Sequence, residues 1–269
     1  MKTTDATAPR VLVTGASKGI GKAIAALLVR KGCPVMGTSR QPDAIPDKIE
    51  GVTYLPLDLR DERSIEACVV SAGPIDVLIN NAGESQVWPA ADTPVEKIRS
   101  LFETNVFGQI KLIQCVLSDM ARRRRGLIIN VGSMTGKFAV PFQSAYSASK
   151  FALAGFTWSL RNEVKSLGVK VVMLEPGHIR TGIEPEIYAA PASIFQENLR
   201  IVVQSRRDQI AGGSAPDVVA KKTWAIMKKR NPAPFYASGG KAPLMVFAKR
   251  FLSDQLVEKI IAKIYGLKP

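Results

Sequence analysis

The sequence predicts an α/β protein, one domain built on a doubly wound parallel sheet of about seven strands with helices on both faces. Three observations predict it. Short apolar runs alternate with longer amphipathic ones through the first two thirds of the chain, the pattern of strands buried on both faces and joined by crossover helices. The first of those runs leads straight into a glycine-rich turn, "TGASKGIG". The 269 residues, 46% of them hydrophobic, can fill one large core without division.

The strands are read in order from "RVLVTG", "PVMGTS", "VTYLPLD", "IDVLINN", "GLIINVGS" and "VKVVMLEPG", with "PFYASGG" as a last short one. Helical periodicity is read at 19–31, 64–72, 94–122, 145–167 and 215–229. After "VMLEPG" the rhythm changes: residues 183–214 show no strand pattern but carry Ile187, Tyr188, Ile194, Phe195 and Leu199. That stretch reads either as a substrate flap over a pocket or as a packed helical excursion. Across 244–265, Phe247, Phe251, Leu252, Leu256, Ile260, Ile261 and Ile264 recur at helix-compatible spacing, so one C-terminal amphipathic helix is expected.

Composition narrows the function classes. The formal charge of +14 attracts anionic partners. Its densest run, Arg122 to Arg125, stands between a helical pattern and "GLIINV" and reads as a solvated helix end near the C-terminal dipole. Basic residues interleaved with aromatics on one face, or a base-reading motif, would mark a nucleic-acid binder; neither is found, so no specific nucleic acid is expected. Cys33, Cys68 and Cys115 form no CxxC and accompany a single histidine, His178, so neither a disulfide framework nor a metal site is suggested. They are expected as small buried hydrophobes. "MKTTDATAPR" lacks the apolar run of a signal peptide and no segment has the apolar length of a membrane span, which makes a cytoplasmic location the default expectation.

The glycine turn is the first motif with chemistry. Gly15, Gly19 and Gly21 let backbone approach a pyrophosphate while the helix beyond offers free amides and positive dipole. The spacing is GxxxGxG, not the GxGxxG of the standard Rossmann fingerprint; Ser17, Lys18 and Ile20 of this turn are counted as cofactor contacts too. Where an acidic residue would mark NAD at the end of the second strand, "GTSRQPD" places Ser39 and Arg40. With Lys18, these cations favour a bound 2'-phosphate, hence NADP (NADPH). The nearest acid, Asp43, follows a proline and stands too late for the acid's part unless the turn brings it back.

A second motif is "SAYSASK". Tyr146 and Lys150, four residues apart, fall on one helix face, and an ammonium beside a phenol favours the phenolate.

Taken with "TGASKGIG", "NNAG" and a serine 13 residues before that tyrosine, this heptad gives the chain a resemblance to the classical short-chain dehydrogenase/reductase family, in order and spacing from Val11 to Thr181. The resemblance implies roles. Tyr146 is the general acid that protonates a carbonyl as hydride arrives; Lys150 assists it and holds the nicotinamide ribose. Ser133 bonds the substrate oxygen, and Asn105 anchors a water leading to the lysine. Asp58 bonds the adenine amine, Asn81, Ala82 and Gly83 flank the adenosine ribose, Pro176, Gly177 and Ile179 wall the nicotinamide, and Thr181 contacts its carboxamide. His178 belongs to that wall in a packing or surface role. Hydride chemistry of this kind needs no metal.

The expected substrate is a hydrophobic ketone or secondary alcohol, its pocket lined by Trp88, Met134, Phe138, Phe142, Tyr188 and Phe195. The "INVGSMTG" and "EPGHIRT" variants, with the late amphipathic helix, give the chain a loose resemblance to the 17β-hydroxysteroid, retinol and acyl-dihydroxyacetone-phosphate reductase branch. An NADP-sensing regulator of the same fold and a basic nucleic-acid-binding protein are the competing readings. Family likeness also implies a homodimer or homotetramer through helices 94–122 and 145–167. The C-terminal helix, carrying Lys249, Arg250, Lys259 and Lys263, either packs on the core or a sister subunit or lies peripherally in an anionic membrane interface.

Overall fold

The computed structural model describes residues 8–182 and 185–267. Ile183, where the predicted flap begins, lies outside the described residues, as does most of the N-terminal segment read for a signal peptide. Nine strands occur among the described residues: β1 (Val11–Val13), β2 (Val35–Ser39), β3 (Val52–Pro56), β4 (Val77–Asn80), β5 (Gln86–Val87), β6 (Gly126–Val131), β7 (Val169–Pro176), β8 (Glu186–Ile187) and β9 (Phe235–Ser238). Seven of them form one sheet in the order β3-β2-β1-β4-β6-β7-β9, and every pairing is parallel. These seven are the strands the sequence predicts.

The alternation of side chains along the strands explains the two layers of helices. Val11 and Val13 enter one buried cluster while Leu12 enters another, and Ile79 and Leu78, Ile129 and Ile128, Val172 and Val171 divide in the same way. A strand apolar on both faces needs cover on both. On the first face, α1 (Gly19–Arg30) and α7 (Asp217–Met227) bury Ile24, Leu28, Val219 and Ile226. On the second, Ile65 and Cys68 of α2 (Glu62–Ala72), Leu112, Ile113 and Val116 of α4 (Gly108–Arg122) and Leu160 of α5 (Ser144–Glu163) close the core. Helix α2 starts two residues before the predicted 64 because the Asp61 carboxylate caps it, accepting from Arg63 N at 2.9 Å.

The predicted 94–122 helix is present but interrupted. Helix α3 (Val95–Phe102) passes through a π-turn at Glu103–Phe107 into α4, and the wider turn carries Asn105 inward, fully buried. The arginine run is the solvated helix end the sequence predicts at Arg122, Arg124 and Arg125, which are exposed, with Arg123 as the exception. Arg122 ends the helix, but Arg123 is half-buried: it bonds Asp119 at 2.7 Å and Asp76 at 2.8 Å and so ties the helix end to the start of β4.

Two expectations for the last third need correction. Residues 183–214 do hold a strand, β8, which pairs with β5, and they hold helix α6 (Gln196–Ala211), whose Leu199 and Val202 pack with Val87, Phe138, Ile261 and Tyr265. The stretch 244–265 is two helices and not one. Helix α8 (Ala242–Ala248) runs into a short 3-10 turn, Leu252 is extended, and Ser253 caps α9 (Asp254–Ile264) by accepting from Leu256 N at 3.3 Å. A serine cap followed by aspartate is a start signal, hidden here because apolar residues recur across it. Lys249 does not ring a free stripe either: its ammonium donates to the Lys137 carbonyl and lies 5.3 Å from the Phe138 ring centre.

Candidate active site

A cleft of about 1410 Å³ opens at the carboxyl ends of the strands. After β3 the chain crosses back to place β4 on the other side of β1, and such a reversal leaves a crevice in which α/β proteins bind ligands.

The glycine turn forms one end of it. Gly15 has φ +65° and Gly19 φ +57°, conformations that disfavour a β-carbon. Gly15, Ser17, Lys18 and Ile20 line the cleft. Gly19 and Gly21, predicted as cofactor contacts, do not lie among the wall residues. Gly19 packs against Thr181, and a β-carbon on Gly21 would collide with the Gly15 carbonyl, so these two shape the turn from behind. Lys18 is the extended N-cap of α1, whose first turn holds no acidic residue, leaving positive dipole uncancelled at the cleft.

A residue that sequence reasoning missed fixes the next strip. Thr14 is fully buried, and its Oγ1 accepts from Asn81 N at 2.8 Å and Ala82 N at 2.9 Å. Asn81 Nδ2 donates back to the Thr14 carbonyl at 2.9 Å, and Gln109 Nε2 holds the Ala82 carbonyl at 2.8 Å. Asn81, Ala82 and Gly83 thereby run along the cleft wall in one fixed course. The only sequence signal for Thr14 was its place before the glycine turn.

Ser39 and Arg40 also line the cleft, as expected. The fold adds carboxylates that local sequence did not show: Glu84 lies 3.9 Å from Arg40 Nη1, and Asp47 reaches the wall already bonded by Lys22. Asp43 instead faces Lys48 at 3.8 Å. Asp58 is on the wall, and a hydrogen bond from the Arg60 guanidinium holds its carboxyl below the usual range.

At the other end stand Ser133, Tyr146 and Lys150, all on the same wall. Ser133 follows β6 and caps the 3-10 turn Met134–Gly136, accepting from Thr135 N at 3.2 Å. Tyr146 and Lys150 occupy the first turns of α5, and Lys150 is 4% exposed. Its ammonium lies 5.6 Å from the tyrosine ring centre. Asn105 stands behind this wall, its Oδ1 accepting from Glu84 N at 2.8 Å and its Nδ2 donating to the Glu84 carbonyl at 3.0 Å and to Ser149 Oγ at 3.2 Å. A β-carbon on Gly83 would lie 3.0 Å from Asn105 Oδ1 and 3.5 Å from Lys150 Nζ, so the glycine lets these two groups share one space. Pro176, Gly177, His178, Ile179 and Thr181 complete the wall; burial, then Arg206, pushes the His178 imidazole down, which favours its neutral form.

The expected aromatic lining is only partly there. Met134 and Phe138 reach the cleft, but Trp88, Phe142, Tyr188 and Phe195 are not among its wall residues. Trp88 and Tyr188 hold the Lys97 ammonium at 5.3 and 5.5 Å, and Phe142 meets Phe195 edge-on at 6.2 Å, so these rings support the wall from outside. Val140, Met245, Ile261, Ile264 and Tyr265 take their place, with Arg206 and Gln209 of α6 as polar members. Two of the apolar members come from α9, beyond any motif. Among the described residues no cluster of ligating side chains fits a metal ion, and no helix is long and apolar enough to cross a membrane.

The short chain dehydrogenase family model matches residues 9–192. The 3-ketodihydrosphingosine reductase of Bacteroides thetaiotaomicron is 32% identical over 275 aligned positions, covering 96% of this chain and 98% of that one. Among solved structures, a short-chain dehydrogenase from Streptomyces avermitilis superposes with a TM-score of 0.80 at 31% identity, covering 92% of this chain and 94% of its own. The closed form of a serine dehydrogenase complexed with NADP+ superposes with a TM-score of 0.69 at 25% identity, covering 86% and 94%.

Proposed function

The chain belongs to the short-chain dehydrogenase family, and from that premise we propose that it uses NADPH to reduce the carbonyl of a hydrophobic, lipid-like substrate, or runs the reverse oxidation with NADP. The observation that carries this reading is the convergence of Ser133, Tyr146 and Lys150 on the cleft whose far end is the glycine turn. The cleft's size, its glycine turn and the uncancelled dipole of α1 fit a dinucleotide. Lys18, Ser39 and Arg40 would hold the 2'-phosphate; Asn81, Ala82, Gly83 and Asp58 the adenosine; Pro176, Gly177, Ile179 and Thr181 the nicotinamide. When bound, the nucleotide supplies the hydride.

The protein's own residues do the rest. The Ser133 hydroxyl holds the carbonyl oxygen and steadies the charge that develops on it. The Tyr146 hydroxyl gives that oxygen its proton, and the phenolate left behind is stabilised by the Lys150 ammonium until solvent returns the proton. Asn105, bonded to both the Glu84 backbone and Ser149, keeps the space beside Lys150 in register.

A lipid-like substrate is favoured by the wall of Met134, Phe138, Val140, Met245 and Ile261, and by the likeness, over nearly the whole of both chains, to a protein named for reducing 3-ketodihydrosphingosine. Association through the helical stretches 94–122 and 145–167 is part of the same proposal: Phe107 of the π-turn before α4, and Phe151 and Trp158 of α5, are 53%, 44% and 41% exposed. A cytoplasmic location, with peripheral membrane contact through α9, completes it.

The deciding experiment is a panel of ketones and alcohols, including 3-ketodihydrosphingosine, steroids, retinoids, acyl chains and small diketones, followed by nucleotide absorbance with NADPH and NADH. Turnover of a long-chain ketone with NADPH is expected. Nucleotide binding without turnover of any panel member would favour a sensor.

A further inference from the structure

Glu175 stands at the end of β7, one residue before Pro176 of the cleft wall. Its side chain is fully buried, and neither carboxyl oxygen has a hydrogen-bond partner among the described residues. Burying a carboxyl without partners is costly, and a packing role could be met by an uncharged side chain of equal length, so the acid calls for an explanation. Nothing in the proposed proton transfer uses it.

Its position suggests one. A β-carbon on Gly132 would come within 3.4 Å of Glu175 Cγ, and one on Gly136 within 3.3 Å of its Oε1 and 3.1 Å of the Lys150 carbonyl. The carboxyl therefore fills the seam between the turn that carries Ser133 and the helix that carries Tyr146 and Lys150. The charges acting on it are the ammonium groups of Lys137, from that turn, and Lys150, from α5. Lys249, bonded to the Lys137 carbonyl, adds positive charge behind Lys137, and Tyr146 is one turn from Lys150 on α5. Burial pushes the carboxyl up to about 7 against the pull of both lysines, and lowers Lys137 from its ordinary value.

We propose that Glu175 is a positioning residue for the reaction: it braces the Ser133 turn against α5 and, by its charge, sets the electrostatic surroundings of Lys150. This rests on the reductase reading. Ionised, the carboxylate offsets part of the positive charge that Lys150 directs at the Tyr146 phenolate. Protonated, it leaves that charge whole, so the rate follows the state of Glu175 through neutral pH.

Glu175→Gln keeps the shape and removes the charge. Infrared difference spectra of the unaltered protein should show a protonated-carboxyl band that fades as pH rises through neutrality and is absent in E175Q. With NADPH and 3-ketodihydrosphingosine, kcat of the unaltered enzyme should change by about tenfold across the same interval, the size expected for charges several ångströms apart at intermediate dielectric. E175Q should lack that inflection with KM unchanged. An E175Q profile matching the unaltered one, or a band that titrates in the ordinary carboxylate range, overturns the proposal. Failure to turn over any ketone would instead overturn the reductase reading, and the infrared band would still decide whether Glu175 titrates near neutrality. Should E175Q not fold, Lys137→Met serves: removing an ammonium that favours ionisation must move the band's titration to higher pH, and an unmoved titration overturns the proposal.

Discussion

The ammonium nitrogen of Lys150 lies 5.6 Å from the centre of the Tyr146 ring, one helical turn away on α5. Both groups reach the cleft, yet they are differently placed: Lys150 is 4% exposed, while Tyr146 is partly open to the space a substrate would fill. A cation held this deeply acts on its neighbour with little screening by salt. The tyrosine is thus the group that can meet a substrate, and the lysine the group that can stabilise the charge left on it.

Tyr146→Phe separates those parts. It removes the hydroxyl and leaves the ring, Lys150 and the glycine turn in place. Turnover should fall by about a hundredfold to ten-thousandfold, the range lost with a general acid, while NADPH affinity, read by the change in nucleotide fluorescence, stays within a few-fold. A matching loss of affinity would mean that the ring position, and not the proton, had been disturbed.

Arg40→Asp tests the nucleotide preference. Arg40 is 65% exposed at the cleft rim with Glu84 3.9 Å away, so the new carboxylate would meet both a 2'-phosphate and an existing negative charge. Charge-assisted hydrogen bonds are worth about 1.5–3 kcal/mol each, and the ratio of kcat/KM for NADPH over NADH should drop by about tenfold or more. Equal use of both nucleotides by the unaltered protein would remove the basis of the assignment.

The seven main strands and most helices were legible because strand and helix periodicities seldom conflict in this sequence, as in "RVLVTG" and "GLIINVGS". The cleft residues that were legible, such as Gly15, Tyr146 and Lys150, lie in short motifs whose chemistry depends on local spacing. What stayed hidden depends on distant contacts. Ile261 and Ile264 reach the wall only because Ser253 restarts the helix. Trp88 and Phe142 looked like pocket aromatics because sequence shows that a ring is near a site, not which way it faces. Thr14 is an ordinary threonine until the fold brings Asn81 to it.

Thr14→Val should be costly for its size. Valine keeps the shape but leaves the Asn81 and Ala82 N–H groups, at 2.8 and 2.9 Å, without their acceptor in a part-buried place. Donors left unsatisfied cost about 1–3 kcal/mol each when buried and less where part-buried, so urea unfolding should show a loss of about 2 kcal/mol. Thr14→Ser, which keeps the oxygen, should lose clearly less. Equal losses would trace the effect to the methyl group instead.

Glu175 carries a stability prediction whose sign follows from its titration. Its usual value of 4.5 is raised to about 7 by burial in the folded chain, so between these values the folded state holds a proton that the unfolded state has released. Stability from this group is therefore full below about 4.5 and is lost as pH rises through about 7, beyond which the loss is constant. At 1.36 kcal/mol per pH unit the whole loss is about 3 kcal/mol. Glu175→Gln cannot titrate, so its unfolding free energy relative to the unaltered protein should climb over that window and level off above it. Because the other ionisable groups are common to both proteins, they largely cancel in the difference. A difference that stays flat from acid to neutral pH would mean that Glu175 titrates like an exposed carboxylate, and that the seam between Gly136 and Lys150 admits water.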